Sequence, residues 1–521
     1  MSLTIPFRYL VLALCAAAPA FAQGATRPNI VFIMSDDHAV RAVSAYGDSL
    51  METPNIDRIA QRGMRFERAY VANAICGPSR ATLLTGLHSH ANGFYSNEWS
   101  GPFDGNQQTL PKLLQSSGYA TAVIGKWHLY SDPVGFDHWE VIDNVFEQGT
   151  YYNPAFRSPA GIEESTGYVA ELITDKALAW LAAVQENAEP FFLIYNHKTP
   201  HRDWLPGPAE LGEWSESLRL EEPATLLRDM RNLTVARQEA RMSIADWMTD
   251  TDVKLNRPGN LTPGQAALWD AAFARGNAEF EAADLSGEEL TRWKYQRYIK
   301  TYLGAVKSMD REIGRLLDYL DASGLSRNTL VVYTSDQGFF LGENGWFDKR
   351  WMDEVSSRVP LLMQWPAEIA AGGSNASLVQ NIDLAPTLLD AAGVTAPEPM
   401  HGVSMLPLMR GEADEQQRDL YYHFYENPGF HGVARHYGIH TGRYKLIHYY
   451  ENDEWELFDI SRDPAELNNL YHHSHYRDLI PDLKARLSAL RSQYQVPEQD
   501  PPVPWYHGPL IRLVEYLMKL L

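Results

Sequence analysis

The sequence predicts an α/β fold built on a large, mainly parallel sheet covered by helices. Three observations carry that prediction. Short apolar runs alternate with helical patterns through most of the chain. The helical stretches carry readable start and stop signals. The chain has 521 residues, 45% of them hydrophobic and 21% charged, enough to bury a large core and unlike disordered or collagen-like sequences. One large domain, or one with an appendage, is expected.

The core strands are predicted at 29–34, 119–124, 191–195 and 329–334. Between them, a helix is capped by Thr53, opened by Pro54 and closed by Gly63. A longer one over 291–321 spaces Tyr298, Tyr302, Val306, Met309, Ile313, Leu316 and Leu320 three or four apart, as a buried face requires. Over 205–290 the pattern loosens into a stretch rich in Ala, Glu, Asp and Arg, read as a peripheral insertion. After residue 411, aromatic and polar residues alternate at 420–425 and 444–449, and 455–458 follows. This predicts a small antiparallel sheet, so 23–411 form the main domain and 412–521 a C-terminal subdomain. An apolar last helix, 510–521, is expected to pack on the body.

Acidic residues outnumber basic ones 66 to 45, for a formal charge of −21. Such a field disfavours coating nucleic acid or an anionic membrane. An anionic substrate must therefore meet a local basic pocket. Residues 1–22 read as an export signal, with Arg8, an apolar run over 9–20 and Ala20-Phe21-Ala22 as the cleavage site, so the mature chain begins at Gln23. Leu14 is too bulky for lipoprotein cleavage before Cys15. No later segment reaches the roughly 18 consecutive apolar residues of a membrane span. The expected product is periplasmic or secreted, without a membrane anchor. Only Cys15 and Cys76 exist, and the first leaves with the signal. Cys76 is then an inert buried thiol, an intermolecular link or a chemical tool.

In open α/β sheets ligands bind beyond the carboxyl ends of the strands. The four predicted strands are followed by Ser35-Asp36-Asp37-His38, Gly125-Lys126-Trp127-His128, Asn196-His197-Lys198-Thr199-Pro200-His201 and Ser335-Asp336-Gln337-Gly338. Singly, each is a common turn, cap or solvated cluster. Together they gather on one edge three carboxylates and an amide oxygen for a cation, lysines for an anion and histidines for proton transfer. Asp36, Asp37, Asp336 and Gln337 offer only hard oxygen ligands, which suit Ca²⁺, or less well Mg²⁺, and argue against zinc. Lys126, Lys198 and Lys349 could surround a tetrahedral anion as point charges, with Arg80 adding a planar fork. Such a set implies transfer of a sulfuryl or phosphoryl group. Pro78, Leu83 and Leu84 place Cys76 near a helix N-terminus, where negative charge is favoured.

Cys76-Gly77-Pro78-Ser79-Arg80, with Thr85-Gly86 five residues beyond the arginine, resembles the motif of the formylglycine-dependent sulfatases. Asn29-Ile30-Val31 leading into Asp36-Asp37, Gly125-Lys126-Trp127-His128, Lys198-Thr199-Pro200-His201 and Ser335-Asp336-Gln337-Gly338 leading to Lys349 match that family's other motifs in order. Arg443-Tyr444-Lys445-Leu446 with Asp463-Pro464 resembles its small C-terminal sheet. The resemblance implies an alkaline-phosphatase-like sandwich and covers nearly the whole mature chain apart from 205–290. It further implies that a maturation enzyme oxidises Cys76 to formylglycine. The hydrated aldehyde attacks sulfur through one hydroxyl and expels sulfate through loss of the second proton.

By the same resemblance, Asp36, Asp37, Cys76, Asp336 and Gln337 hold Ca²⁺. Arg80 steadies the diol and His128 handles its proton. Lys126, Lys198 and Lys349 bind the sulfate oxygens, and His201 protonates the leaving alcohol. Gln337 stands where many members carry Asn or His. Gly345-Trp346-Phe347-Asp348-Lys349-Arg350 and Gln148-Gly149-Thr150-Tyr151-Tyr152 resemble bacterial carbohydrate sulfatases, those for N-acetylglucosamine 6-sulfate and those for algal polysaccharides such as ulvan. Asp348, Arg350 and His436 are candidates for gripping sugar hydroxyls. Three alternatives are a phosphomonoesterase or phosphonate hydrolase, a non-catalytic binder of sulfated glycans with unmodified Cys76, and a hydrolase using the Cys76 thiolate activated by His128.

Overall fold

The computed structural model describes residues 27–143, 148–187, 189–213, 218–415 and 417–518. The export signal predicted at 1–22 lies outside them. The elements that position the site are β1 (Asn29–Ser35), α1 (Pro54–Arg62), β2 (Met64–Tyr70), α2 (Cys76–Thr85), β3 (Ala120–Gly125), α3 (Val169–Val184), β4 (Phe191–Asn196), α4 (Gly287–Ala322), β5 (Thr329–Ser335) and β6 (Leu361–Gln364).

These strands lie in one large mixed sheet in the order β2-β6-β5-β1-β4-β3. The four central strands β5, β1, β4 and β3 run parallel, and β6 is antiparallel to both its neighbours. Alternate side chains of β1 enter opposite cores. Ile30, Phe32 and Met34 pack in one with α2, while Val31 and Ile33 pack in the other with α3 and α4. Leu330 and Val332 against Val331 and Tyr333 divide β5 the same way. A strand buried on both faces needs apolar residues at every position, which is why these runs read as continuous in the sequence.

Register brings the strand ends level. Ser35 lies opposite Ser335, Met34 opposite Asn196 and Gly125 opposite Asn196. All four predicted polar clusters therefore leave the sheet from one edge. Gly125 has φ +107°, and a Cβ there would fall 1.9 Å from the Asn196 carbonyl oxygen. Only glycine can end β3 so close to β4 and turn Lys126 into the edge.

The predicted stripe of α4 is buried from Tyr298 to Leu320. Its Tyr302 hydroxyl donates to the Asp37 carbonyl (2.7 Å) and accepts from Ala39 N–H (2.9 Å), pinning the loop after β1. The expected capping of α1 by Thr53 is not made. The Thr53 hydroxyl donates instead to Asp57 (3.1 Å). Asp310 of α4 accepts from the Asn55 and Ile56 amides (3.1 and 2.8 Å), so a buried carboxylate from a packed helix supplies the cap.

The segment 205–290 forms no named strand but does reach the core. Leu226, Ile244, Met248 and Val253 pack against Tyr298, Tyr302 and Val306. A second sheet joins β7 (Leu420–Phe424), β8 (His436–His440), β9 (Tyr444–Tyr449) and β10 (Glu454–Asp459) in an antiparallel meander. It is tied to the body by Arg237 of the 205–290 segment. That guanidinium donates to Glu456 of β10 and to Asp353, which follows the Lys349 loop. The C-terminal helix His507–Met518 buries Ile511 and His507, whereas Leu510 and Leu513 are exposed. No helix among the described residues is long and apolar enough to cross a membrane.

Candidate active site

At the carboxyl edge of the sheet, Asp36 and Asp37 follow β1, Asp336 and Gln337 follow β5, and Cys76 opens α2, every one of them buried. Asp36, Asp37 and Asp336 bring carboxylate oxygens within 4.8 Å of one another. Cys76 Sγ lies 3.4 Å from Asp36 Oδ1 and 3.6 Å from Gln337 Nε2. All ten residues of α2 are buried, and its first turn is completed by Asn97, whose Oδ1 accepts from Gly77 N–H (2.9 Å). Cys76 thus sits at the positive end of the helix dipole, which favours an anion.

Arg80 uses both edges of its guanidinium. Nε and Nη2 donate to Asp336 Oδ2 (3.1 and 2.8 Å), and Nη1 donates to the Lys126 carbonyl (2.8 Å). Lys126 Nζ is paired with Asp36 and donates to Gln148 Oε1 (2.6 Å). Lys349 Nζ reaches both oxygens of Asp37 (2.7 and 2.8 Å). Lys198 Nζ lies over the Tyr151 ring (5.0 Å) and donates to the Arg202 carbonyl (3.4 Å). His201 Nδ1 also contacts that carbonyl (2.8 Å), leaving Nε2 3.8 Å from Asp37 Oδ2. His128 has φ +57°. Its Nε2 meets the Gln148 amide (3.0 Å) and the Tyr130 hydroxyl (3.3 Å), and its Nδ1 has no hydrogen-bond partner.

Each carboxylate meets one cation, Asp36 with Lys126, Asp37 with Lys349 and Asp336 with Arg80. Burial alone would raise Asp36, but Lys126, and after it His201, Arg80 and Lys349, hold it well below the usual carboxylate range. Burial pushes Asp37 up to about 6 against the pull of Lys349. Burial and the charge of Asp36 push Asp336 up to about 7. Crowded carboxylates resist ionising together. Gln337 Oε1 is buried without a partner, while Nε2 points at Asp37 (2.5 Å). A half-turn of this amide exchanges the two atoms and presents the oxygen to the cluster. Three buried carboxylates, two of them hard to ionise, and an orphaned amide oxygen fit a hard divalent cation. Burial also pushes the Cys76 thiol up to about 12, which removes the thiolate from reach and counts against the cysteine hydrolase.

The candidate sugar contacts divide. Asp348 and Arg350 flank Lys349, pair with each other, and have φ of +82° and +89°. Asp348 Oδ2 lies 3.2 Å from His431 Nε2, and Arg350 Nε lies 3.5 Å from Glu426 Oε1. His436 does not join them. Its ring is buried in an aromatic stack with Trp351 (5.4 Å) and Tyr422 (5.5 Å), because it points inward from β8. Its Nδ1 contacts the Ala434 carbonyl. The histidine beside Asp348 is His431, five residues earlier in a loop. Trp204 is wholly buried against Tyr298. Sequence reasoning assigned no role to Asn97, Glu426, His431 or Arg202. Gln148 stood within a quoted motif but without one.

Comparison with known proteins follows the same outline. A family model described as Sulfatase matches residues 28–394, and one described as N-sulphoglucosamine sulphohydrolase, C-terminal, matches 342–493. The chain is 44% identical over 520 residues to an N-acetylglucosamine-6-O-sulfatase of Bacteroides thetaiotaomicron, covering 96% of this chain and 92% of that one. It is 26% identical to an arylsulfatase of Clostridium perfringens, over 88% and 93% of the two chains. A structure solved with its substrate D-glucosamine-2-N,6-O-disulfate superposes with TM-score 0.88 at 44% identity, covering 91% of this chain and 99% of that one.

Proposed function

This chain belongs to the sulfatase family, and on that premise we propose that it removes the 6-sulfate of an N-acetylglucosamine unit in a sulfated glycan. It is a sulfuric ester hydrolase acting on carbohydrate, as the N-acetylglucosamine-6-O-sulfatase it resembles is. One observation carries the reading: Cys76 opens a buried helix within 3.4–3.6 Å of Asp36 and Gln337, at the edge where three lysines converge. The 44% identity to the N-acetylglucosamine-6-O-sulfatase favours the amino sugar over ulvan.

Asp36, Asp37, Asp336 and Gln337 would hold Ca²⁺, which supplies charge to polarise the nucleophile and a sulfate oxygen. Conversion of Cys76 to formylglycine supplies the hydrated aldehyde as nucleophile. The remaining work falls to side chains. Lys126 and Lys349, whose ammonium groups pair here with Asp36 and Asp37, would be left to face the sulfate oxygens beside Lys198 were those carboxylates holding a cation. His128 is held well below its ordinary value, first by burial and then by Lys126, and its Nε2 accepts from the Gln148 amide nitrogen, so the buried Nδ1 carries the ring hydrogen and can donate it. His201 is also held well below its ordinary value, chiefly by burial and Lys126. A bound sulfate adds negative charge that raises it, so that Nε2 can protonate the sugar oxygen as the S–O bond breaks. Arg80 fixes Asp336 against the Lys126 backbone and so keeps two strand ends in register.

The chain is read as exported through residues 1–22 and as a client of a maturation enzyme. The deciding experiment offers the matured enzyme N-acetylglucosamine 6-sulfate, its 6-phosphate and sulfated ulvan oligosaccharides, with Cys76→Ser as blank. Sulfate release from the amino sugar is expected. Dominant phosphatase activity, or release from ulvan alone, refutes the assignment.

A further inference from the structure

Glu426, two residues beyond β7, is 2% exposed and belongs to none of the roles above. Its Oε2 accepts from Ser96 Oγ and from the Asn97 N–H (2.7 Å each). Its Oε1 lies 3.5 Å from Arg350 Nε. The two oxygens therefore face two different parts of the site.

The first part is the loop that closes the start of α2. Asn97 Oδ1 accepts from the N–H of Gly77, the residue after Cys76, and the Asn97 carbonyl accepts from the Tyr130 hydroxyl (2.9 Å each). That hydroxyl stands 3.3 Å from His128 Nε2. A Cβ on residue 77 would fall 2.8 Å from Asn97 Oδ1, so a shift of this loop is felt at once by the residue beside Cys76. The second part is Arg350, which pairs with Asp348. Burial would lower its guanidinium, but Asp348, Glu426, Glu98 and Cys76 raise it, in that order, so its charge lies within reach of residue 76. Ser96 and Asn97 need only an acceptor, and a neutral amide oxygen would serve them. Only Arg350 draws on the charge of the carboxylate.

Resting on the sulfatase reading, and on Arg350 as a sugar contact, we propose that Glu426 is a positioning residue for sulfate-ester hydrolysis, which holds the start of α2 through Asn97 and the grip on the sugar through Arg350. The first connection governs turnover and the second governs substrate binding. The charged groups facing Glu426 are Arg350 from the Lys349 loop, Glu98 from the loop of Ser96 and Asn97, and, beyond Glu98, His507 of the C-terminal helix, 3.1 Å from Glu98 Oε2. Burial, and after it Glu98, push Glu426 up to about 7 against the pull of Arg350. The carboxylate is charged above that value and neutral below it, so the pair with Arg350 is complete at higher pH and is lost as pH falls through about 7.

The test measures kcat and KM of the matured enzyme on N-acetylglucosamine 6-sulfate between about pH 6 and about pH 8, normalised to the formylglycine content of each preparation. Wild-type KM should rise up to about tenfold as pH falls through this range, as expected for a lost contact between charged groups. Glu426→Gln should show the raised KM at every pH, with kcat within about threefold of wild type, because its amide oxygen still serves Ser96 and Asn97. Glu426→Ala, which serves neither, should lose about tenfold in kcat as well. A wild-type KM that does not move with pH, or a limb that persists in Glu426→Gln, overturns the proposal and leaves the sulfatase reading standing. So does an equal loss of kcat in the two variants. Absence of turnover by the wild type at every pH refutes the sulfatase reading itself. The wild-type profile requires no variant to fold.

Discussion

Replacing Arg237 by Met tests how the catalytic loop is held. Arg237 is 3% exposed, as is Asp353, and Glu456 is 2% exposed. The guanidinium makes hydrogen bonds of 2.9 Å to both oxygens of Glu456 and of 2.9 and 3.1 Å to those of Asp353, above Trp351. Methionine fills most of the volume but leaves two carboxylates buried against each other. Breaking a buried pair costs about 3–5 kcal/mol. Unfolding entropy of roughly 2.1 cal/mol/K per residue gives a chain of this size about 1 kcal/mol/K, so Tm should fall by about 3–5 °C. Thermal unfolding followed by circular dichroism reads this directly. The variant Arg237→Met/Asp353→Leu/Glu456→Met, which has no charge at these three positions, should recover much of the loss, less the cost of the buried Tyr449 hydroxyl that Glu456 accepts from. A single variant within about 1 °C of wild type, or a triple variant no better than the single, refutes the reasoning.

Chelation of divalent cations should abolish sulfate release and lower Tm, because Asp37, Asp36 and Asp336 are left to repel one another. Ca²⁺ should restore both more fully than Mg²⁺, and indifference of Tm to chelator would remove the metal from the account. Mass spectrometry of the tryptic peptide spanning 69–80 should find residue 76 without sulfur in active material, and an intact thiol there would contradict the formylglycine reading. Burial, and then Lys126, pull Lys198 down to about 8. Only the protonated amine binds sulfate, and the protonated form predominates below that value, so kcat/KM should fall as pH rises through about 8. In Lys198→Arg the charge persists, and the same fall in its pH–rate profile would assign the limb to another group.

The parts of the fold that were legible obey one simple rule each. Strands apolar on both faces read as continuous runs, and the stripe of α4 reads as a helix because its partners lie on one side. Once the strands were placed, the rule that ligands bind at their carboxyl ends assembled Asp36, Lys126, Lys198 and Asp336 from four distant stretches. Interactions that tertiary packing alone decides were not legible. Thr53 looks like a cap in sequence, yet Asp310, more than 250 positions away, does the capping. His431 and His436 differ only in which side of a strand boundary they occupy, and no local pattern marks the one that meets Asp348. Asp252 sits in a stretch without periodicity, so its pairing with Arg202 leaves no trace in spacing.

The complete burial of Cys76 sets an order of events. Sγ is wholly buried at the start of α2, against residues that follow β1 and β5, where a second protein could not close around it once those strands have paired. The conversion proposed for that residue would therefore act on the open chain. The groups packed against Sγ include Gln337, which enters the polypeptide some 260 residues after the cysteine. Synthesis itself thus holds a door ajar, and folding shuts it on whatever residue 76 has by then become.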